Sequence, residues 1–363
     1  MARLRDREFR RILIIKPSSF GDVIHALPVL NGLRHRYPHA HISWLVADSC
    51  AGLLEGHPAL DEIIRFDRKR YGQIARNPRA TLEFIQFIQD LRSRRFDLIV
   101  DLQGLFRSGF LALVTGARNR VGFANARELG WIFYNHRVDV PDADMHAVDR
   151  NYLFGRMLGF TGLPIRFDLP VRPQTRETMI DRLAREGIPR GEDYLVVGPG
   201  TRWETKQWPA EHFAAAIRAI AAEHGLPVVL TGMPEERQIA ERVAAEAGGR
   251  VVNLAGQTSL PEMIALVDGA RAVLMHDSGP MHLATALNKP LVAIYGPTSP
   301  ARTGPYGRGE TVARLDLPCS PCYLKRVADC PHGHRCLREL RPEAVAAQVS
   351  RTLAASEPSA CGA

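Results

Sequence analysis

Short runs of aliphatic residues alternate with longer amphipathic stretches along most of the chain. In the first half, four such runs are typical of buried strands: "RILIIK", "HISWLVA", "DEIIRF" and "DLIVDL". Between them, apolar residues recur at helical spacing, notably over 23–37 and 81–95. Near-continuous apolar strands separated by helices predict a parallel sheet that is covered on both faces.

The same alternation starts again after a break at 166–174, "RFDLPVRPQ", whose two prolines and lack of periodicity are typical of a linker. The strands predicted beyond it are "YLVVGPG", "PVVLTG", "VVNLAG", "AVLMHD" and "LVAIYG", with helices over 210–223, 235–247 and 342–355. The predicted fold class is therefore α/β, with two Rossmann-like domains whose parallel sheets face a central ligand cleft. The predicted boundaries are 1–170 and 171–341, with a closing helix and a disordered tail over 342–363.

Length and charge narrow the possible functions. A chain of 363 residues exceeds one ordinary core, and 47 basic against 39 acidic side chains give a net charge of +8. That excess favours anionic partners, although clusters such as 68–70 and 92–95 could equally form a solvated face. No zinc-finger spacing, aromatic RNA-binding motif or continuous basic tail accompanies them, so nucleic acid is not an expected partner. The charged N-terminus lacks the apolar core of a signal peptide, which predicts a cytosolic location.

The segment "KPSSFGDVIHALPVL", 16–30, places Asp22 where a strand ends and a helix begins. A carboxylate in the first helical turn commonly caps free amides and complements the helix dipole. However, Ser18 and Ser19 just before it are competent caps, which would leave Asp22 free to point into the cleft. There it could act as the general base that removes a proton from a hydroxyl.

Two further strand ends, in the second half, have the composition of phosphate-binding turns. "VVGPGTRWETKQWP" supplies Gly200 and Lys206, and "LMHDSGPMHLATAL" supplies Asp277 and Gly279 before a helix. Amides at a helix start and a nearby lysine together suit a diphosphate, although each glycine alone could simply form a turn. His282 follows one helical turn later, where it could reach the same ligand or pack in the core.

Two segments contain residue types that bind metals. Cys319, Cys322, Cys330 and Cys336 have the spacing C-x2-C-x7-C-x5-C, which fits either a structural metal or buried reduced thiols, and reduced thiols are the predicted state. "DAD", 142–144, resembles a metal-binding Asp-x-Asp, but it follows a proline turn rather than a buried strand. A solvated turn or helix cap is the prediction there.

Taken in order, "KPSSFGDVIHALPVL", "DLQGLFRSG", "TRWETKQWP" and "HDSGPMHLATALNKPLVAIYGPTSP" resemble glycosyltransferase family 9, the lipopolysaccharide heptosyltransferases. "ARELGWIFYN" and "MHAVDRNYLF" are most similar to the branch that adds the first heptose to Kdo-lipid A. The resemblance implies a GT-B fold with an N-terminal acceptor domain, a C-terminal donor domain and a last helix that returns to the first domain. It also implies inverting, metal-independent transfer from ADP-L-glycero-D-manno-heptose to the inner core, without a cofactor, at the cytoplasmic face of the inner membrane.

The resemblance also assigns roles to residues, beginning with Asp22 as the general base. The implied donor contacts are Thr201, Lys206, Glu235, Asp277, Ser278, Gly279 and His282. The implied acceptor contacts are Ser19, Arg68, Lys69, Arg70, His146 and Arg150. Glu235 matches the ribose-binding acid only across Pro234, and the cysteine-rich segment resembles other branches. The alternatives are a family 9 transferase with another donor or acceptor, such as a second-heptose transferase, and a non-catalytic nucleotide-sugar-binding module.

Overall fold

The computed structural model describes residues 3–74 and 76–356. Contacts divide the chain into two compact units, Met1–Pro170 and Val171–Ala363. The predicted disordered tail lies, from residue 357 onward, outside the described residues.

Each unit contains one six-stranded sheet in which every pairing is parallel. The strands of the first unit are β1 (Arg11–Ile15), β2 (His41–Ala47), β3 (Glu62–Phe66), β4 (Leu98–Asp101), β5 (Asn119–Phe123) and β6 (His136–Val138). Those of the second unit are β7 (Leu195–Gly198), β8 (Val228–Leu230), β9 (Val251–Asn253), β10 (Ala272–His276), β11 (Leu291–Ile294) and β12 (Val312–Ala313).

Helices connect the strands and cover the sheets. The first unit has α1 (Phe20–Ile24), α2 (Leu27–Arg36), α3 (Asp48–Ala51), α4 (Arg68–Tyr71), α5 (Pro78–Ser93), α6 (Phe106–Val114), α7 (Ala147–Tyr152) and α8 (Phe154–Leu158). The second unit has α9 (Pro173–Arg185), α10 (Ala210–His224), α11 (Arg237–Ala247), α12 (Leu260–Gly269), α13 (Gly279–Ala286), α14 (Pro300–Thr303), α15 (Arg335–Arg338) and α16 (Pro342–Ala355).

The predicted α/β class and all nine predicted strands are confirmed. The aliphatic runs of the central strands, such as β1 and β10, are buried on both sheet faces, whereas the edge strands β3 and β9 are half-buried. Three strands were not predicted: β5 and β6 because polar residues interrupt their apolar pattern, and β12 because it has only two residues. The single helix predicted over 23–37 is wrong. It is two helices, α1 and α2, because the ring of Pro28 in the first turn of α2 excludes a continuous helix through residue 24.

The last helix, α16, contributes to the core of the second unit. α16 packs against α10 and against strands β10 and β11, all in the second unit. Its Val345, Val349 and Leu353 lie on one helix face and belong to the same buried cluster as Phe213 of α10. The helix therefore completes the hydrophobic core of the second unit.

Strand order determines where each sheet can bind a ligand. The order is β3-β2-β1-β4-β5-β6 in the first unit and β9-β8-β7-β10-β11-β12 in the second, which is the same doubly wound arrangement. The connections change direction between β1 and β4, and again between β7 and β10. At these points the loops after neighbouring strands diverge and leave a crevice at the carboxyl ends of the strands.

Candidate active site

The turn after β1 carries Asp22 and holds its carboxylate at the helix start. Ser19 caps α1, and its backbone amide and hydroxyl both donate to Oδ2 of Asp22, over 3.0 and 2.7 Å. The expectation that the serines would leave Asp22 uninvolved in capping is therefore wrong, because a carboxylate at the third helical position reaches back to the cap. Capping uses Oδ2, so a base role would fall to Oδ1.

A buried lysine that the sequence analysis missed controls the charge of Asp22. Lys16, at the end of β1, is only 7% exposed, and its ammonium donates to the carbonyl of Leu102 over 3.1 Å. Burial alone would raise the pKa of Asp22, but the charge of Lys16 and the hydrogen bonds from Ser19 outweigh it and lower the pKa to about 2. Asp22 is therefore ionised, and able to accept a proton, at any physiological pH. The lysine could have been noticed as the polar residue that ends the run "ILIIK".

The other predicted acceptor residues divide into two groups. His146 caps α7, and its ring meets that of His25 edge-on at 5.6 Å, with His25 itself close enough to favour the ionised form of Asp22. Arg150, on the same helix, lies over the ring of Phe123 at 4.5 Å. Burial lowers the pKa of Lys16, and the charge of Arg150 acts in the same direction. The structure thus brings His146 and Arg150 to the neighbourhood of Asp22.

Of the basic triplet at 68–70, one side chain reaches the turn that carries Asp22. Arg68 donates to the hydroxyl of Ser18 over 2.9 Å. Arg70 instead pairs with Glu83 on α5, and Lys69 is exposed on α4. Arg68 is therefore the member of the triplet that the structure places beside the candidate site.

At the crevice of the second unit, Lys206 and Asp277 form a buried ion pair. The ammonium of Lys206 lies 2.6 Å from Oδ2 of Asp277 and 3.2 Å from its carbonyl oxygen. The hydroxyls of Tyr295 and Thr298 also donate to this carboxylate, over 3.1 and 2.7 Å. With its oxygens engaged in this way, Asp277 is placed to hold Lys206 in position rather than to contact a ligand itself.

The remaining donor candidates surround this pair. Ser278 occupies the N-cap position of α13 without a capping hydrogen bond from its side chain, Gly279 begins the helix, and His282 is buried within it at 8% exposure. Thr201 is half-buried in the loop after β7. The loop is tied to β10 by His276, whose Nε2 accepts from the amide of Trp208 over 2.9 Å, and burial lowers the pKa of this imidazole to about 3.

Glu235, the acid predicted at the ribose position, is not the acid of this segment that turns inward. Glu235 is exposed, whereas the neighbouring Glu236 packs against Gly200 and Gly232, where an added Cβ would meet it at 2.5 and 2.9 Å. Its Oε2 accepts from the amide of Met233 over 2.8 Å, and burial raises its pKa. Sequence matching across Pro234 could not resolve which of two adjacent acids turns inward.

Hydrogen bonds connect the cysteine-rich segment to the loop after β7. Thr205 donates to the carbonyl of Leu324 over 2.5 Å, and His334 contacts the carbonyl of Thr205 over 2.7 Å. Lys325, also absent from the sequence candidates, lies 5.1 Å from the centre of the Trp203 ring, which Lys206 also covers at 4.6 Å. The loop after β7 is thus lined by two ammonium groups.

The cysteines themselves are free thiols in the described part of the chain. Burial, together with the neighbouring thiols of the segment, raises the pKa of Cys336 to about 11. Within residues 3–74 and 76–356, no group of three or more His, Cys, Asp or Glu side chains is arranged to hold a metal ion. In "DAD", Asp142 accepts from the amide of Asp144 over 2.8 Å, and both are exposed, so the predicted solvated turn is confirmed.

Comparison with known proteins places this arrangement in a family. The model for "Glycosyltransferase family 9 (heptosyltransferase)" matches residues 84–330. The chain belongs to glycosyltransferase family 9. It is 33% identical to lipopolysaccharide heptosyltransferase 1 of Pseudomonas aeruginosa, over 96% of this chain and 99% of that one. It is 30% identical to lipooligosaccharide heptosyltransferase 2 of Haemophilus ducreyi, over 95% and 99%.

A solved family member has the same architecture. The E. coli heptosyltransferase WaaC with ADP-2-deoxy-2-fluoro heptose is 27% identical, with a TM-score of 0.74 over 94% of this chain and 99% of that one. The expected GT-B fold and glycosyltransferase activity are thereby confirmed for this family 9 protein. Among the described helices, none combines the length and apolar composition needed to cross a bilayer.

The pairing of Lys16 with Asp22 gives a prediction about pH. In the variant Lys16→Met, burial still raises the pKa of Asp22, while the hydrogen bonds from Ser19 and the charge of His25 still lower it. Because the charge of Lys16 is lost, the pKa of Asp22 should rise from about 2. Below that raised pKa the carboxyl is protonated and cannot accept a proton. We therefore expect kcat/KM of the variant to fall with decreasing pH in a range where the wild type is flat, as measured from pH 5 to 9.

Lys289→Met is the matched control, since this half-buried lysine of the second unit donates to the carbonyl of Asp268 over 2.8 Å. Its pH profile should match the wild type. Identical profiles for Lys16→Met and the wild type would show that Lys16 does not set the charge of Asp22. Asp101, Arg127 and Arg150 also act electrostatically on Lys16 and remain unchanged in both variants.

Proposed function

We propose that this enzyme transfers L-glycero-D-manno-heptose from its ADP derivative to the Kdo/heptose inner core of lipopolysaccharide, with inversion and without a metal. The single observation that carries the proposal is the buried pair of Lys206 with Asp277 at the β7/β10 crevice. A fixed ammonium beside a helix start is suited to a nucleotide diphosphate. The identity to heptosyltransferases over nearly the whole chain supports heptose as the sugar.

The proposed reaction is a direct displacement at the anomeric carbon. The acceptor oxygen forms the new glycosidic bond while the bond from that carbon to the diphosphate oxygen breaks. Asp22 takes the proton of the attacking hydroxyl. Lys206 and the amides at the start of α13 stabilise the negative charge that develops on the departing ADP.

Three further side chains support an anionic acceptor. His146, Arg150 and Arg68 lie near the turn that carries Asp22, and all can donate to a carboxylate or phosphate. A Kdo-containing acceptor carries such groups. We propose Kdo-lipid A as the acceptor, in line with the 33% identity to a heptosyltransferase 1, against 30% to a heptosyltransferase 2.

Location at the cytoplasmic face of the inner membrane belongs to the same proposal. The acceptor is a lipid, so the enzyme must meet it at a bilayer surface without spanning it. The basic residues at 68–70, with Arg76 and Arg79, are suited to the anionic headgroups there. The partners we propose are thus a nucleotide sugar, a lipopolysaccharide core acceptor and a membrane surface, with neither cofactor nor nucleic acid.

A transfer assay tests this proposal. ADP-heptose is offered with Kdo-lipid A and, separately, with a heptosylated acceptor, and product is followed by mass spectrometry with chelator present. We expect transfer to Kdo-lipid A. Transfer to the heptosylated acceptor alone would indicate the second-heptose reaction. Tight ADP-heptose binding without turnover on either acceptor would support the non-catalytic alternative and contradict the proposal.

A further inference from the structure

Large apolar side chains that are exposed to solvent are concentrated in one part of the first unit. In the described residues ten such side chains occur, and eight of them lie between residues 82 and 132. We call these eight the apolar face. Its members are Leu82, Ile85, Phe106, Phe110, Leu113, Leu129, Trp131 and Ile132.

The apolar face extends over three elements that contact one another. On α6, Phe106, Phe110 and Leu113 follow the i, i+4, i+7 spacing that places side chains on one side of a helix. α6 contacts α5, which contributes Leu82 and Ile85, and it contacts the short helical turn 130–133. The rings of Phe106 and Phe133 meet edge-on at 5.0 Å, which joins the last two elements into one apolar surface.

Exposure of this extent needs an explanation, because water-soluble surfaces seldom leave large apolar side chains grouped together. Leu129 is 61% exposed and Leu82 56% exposed, although both belong to a unit with a well-filled core. Trp131 adds a second feature, since the guanidinium of Arg137 lies 4.7 Å from the centre of its ring. An indole combined with a cation is typical of side chains at a membrane–water interface.

The segment of the chain that contains the apolar face has a charge that indicates what covers it. Residues 68–137 contain thirteen basic and five acidic side chains, a net charge of +8, which equals the net charge of the whole chain. The rest of the sequence is therefore balanced. Four of the five acids already have partners: Glu83 with Arg70, Asp90 with Arg94, Asp97 with backbone amides, and Asp101 with Tyr134. A strongly cationic, apolar surface fits an anionic bilayer better than another protein of average charge.

A cavity beside the apolar face connects it with the candidate active site. Its volume is about 540 Å³, and its walls include Phe84 of α5, Phe106 and Phe110 of α6, and Pro17 and Ser18 of the turn that leads to Asp22. A surface seated on the bilayer at this face would therefore have the turn carrying Asp22 close to the headgroups. The inference rests on the membrane location that is part of the proposed function, whereas the binding of lipid can be measured without the proposed reaction.

We propose that the apolar face inserts into the interfacial layer of an anionic bilayer and is the membrane anchor of this enzyme. The basic side chains of the same segment supply attraction at a distance, and the apolar side chains supply the part of the binding that persists at high salt. The occupant is a lipid surface, and a second copy of the chain is an alternative that the test separates.

The test uses the full chain and vesicles of phosphatidylethanolamine with 30% phosphatidylglycerol. The variant Ile85→Ser/Leu113→Ser/Ile132→Ser changes one exposed side chain in each of the three elements, and none of the three lines the cavity. We expect its partition coefficient, from co-sedimentation at 0.5 M salt, to fall at least tenfold because the apolar area that leaves water is lost. Met233→Ser is the matched control, since Met233 is 59% exposed in the second unit, and it should bind like the wild type.

Insertion has its own spectroscopic readout. Brominated lipid should quench part of the tryptophan fluorescence of the wild type, and Trp131→Phe should lose that quenching. Wild-type vesicle binding that is absent, unaffected by the triple variant, or equally reduced by Met233→Ser would overturn the proposal. So would concentration-dependent dimerisation without lipid that the triple variant abolishes.

The test of the membrane anchor can be separated from the test of the proposed function. Transfer to a deacylated, water-soluble acceptor needs no membrane, so the triple variant should retain wild-type activity in that assay. An enzyme that binds vesicles through the apolar face yet transfers no heptose would leave the anchor intact and refute the proposed reaction. The reverse result would refute the anchor alone.

Discussion

Asp22→Ala is expected to lower kcat at least 100-fold while the affinity for ADP stays nearly unchanged. General-base removal of a proton typically contributes 10²–10⁴-fold in rate, and Asp22 is the ionised carboxylate beside the β1/β4 switch point. ADP is expected to bind through the second unit, where Lys206 and Asp277 lie. Steady-state kinetics with ADP-heptose, and calorimetry with ADP, measure the two quantities.

The capping contact of Asp22 requires a control, because its loss also weakens the start of α1. The chain contains a matched capping box at the start of α12, where the amide and hydroxyl of Ser259 both donate to Oε2 of Glu262 over 2.7 Å. Glu262→Ala removes a cap of the same kind, at a cost of about 0.5–2 kcal/mol in stability, without touching the candidate base. We expect it to lower the unfolding midpoint, less than Asp22→Ala, which also leaves the buried Lys16 without its carboxylate, and to leave kcat unchanged. An equal loss of kcat in both variants would show that Asp22 acts only as a helix cap and not as the base.

The sequence predicts those parts of the fold that are determined by interactions between residues close together in the chain. The strands were predictable because burial on both faces demands uninterrupted aliphatic residues, as in β1 and β10. The strand order was not, because register and neighbours depend on contacts between distant segments. Short edge strands such as β12 contain too few residues to show a pattern.

In the candidate site, too, some features could be predicted from local sequence and others depend on contacts between distant residues. Asp22, Lys206 and Asp277 could be singled out because each follows a buried strand in a turn of distinctive composition. The partners that determine their behaviour could not, since Lys16 acts through burial and Tyr295 reaches Asp277 from a separate strand end. The direction of a side chain is likewise invisible in sequence, which is why the inward-turned acid is Glu236 rather than Glu235.

The second large effect is expected for Lys206→Ala, which should weaken ADP binding as well as turnover. Hydrogen bonds to charged groups contribute about 1.5–3 kcal/mol, so the Kd for ADP should rise about 10- to 100-fold. In the transition state the diphosphate gains negative charge, and loss of one such donor typically lowers kcat by about 10²–10³-fold. Calorimetry and steady-state kinetics again separate the two effects, and Lys289→Ala should leave both unchanged.

Asp277→Asn tests whether the carboxylate acts through the lysine. The substitution keeps the shape of the side chain but removes the charge that holds the ammonium of Lys206 at 2.6 Å, so the lysine should lose its fixed position. We expect a rise in the Kd for ADP in the same direction as for Lys206→Ala but smaller. Because the two residues form one unit, the double variant should be little worse than Lys206→Ala alone, whereas independent donor contacts would give additive losses. Wild-type ADP affinity in Lys206→Ala would contradict the assignment of this crevice to the nucleotide.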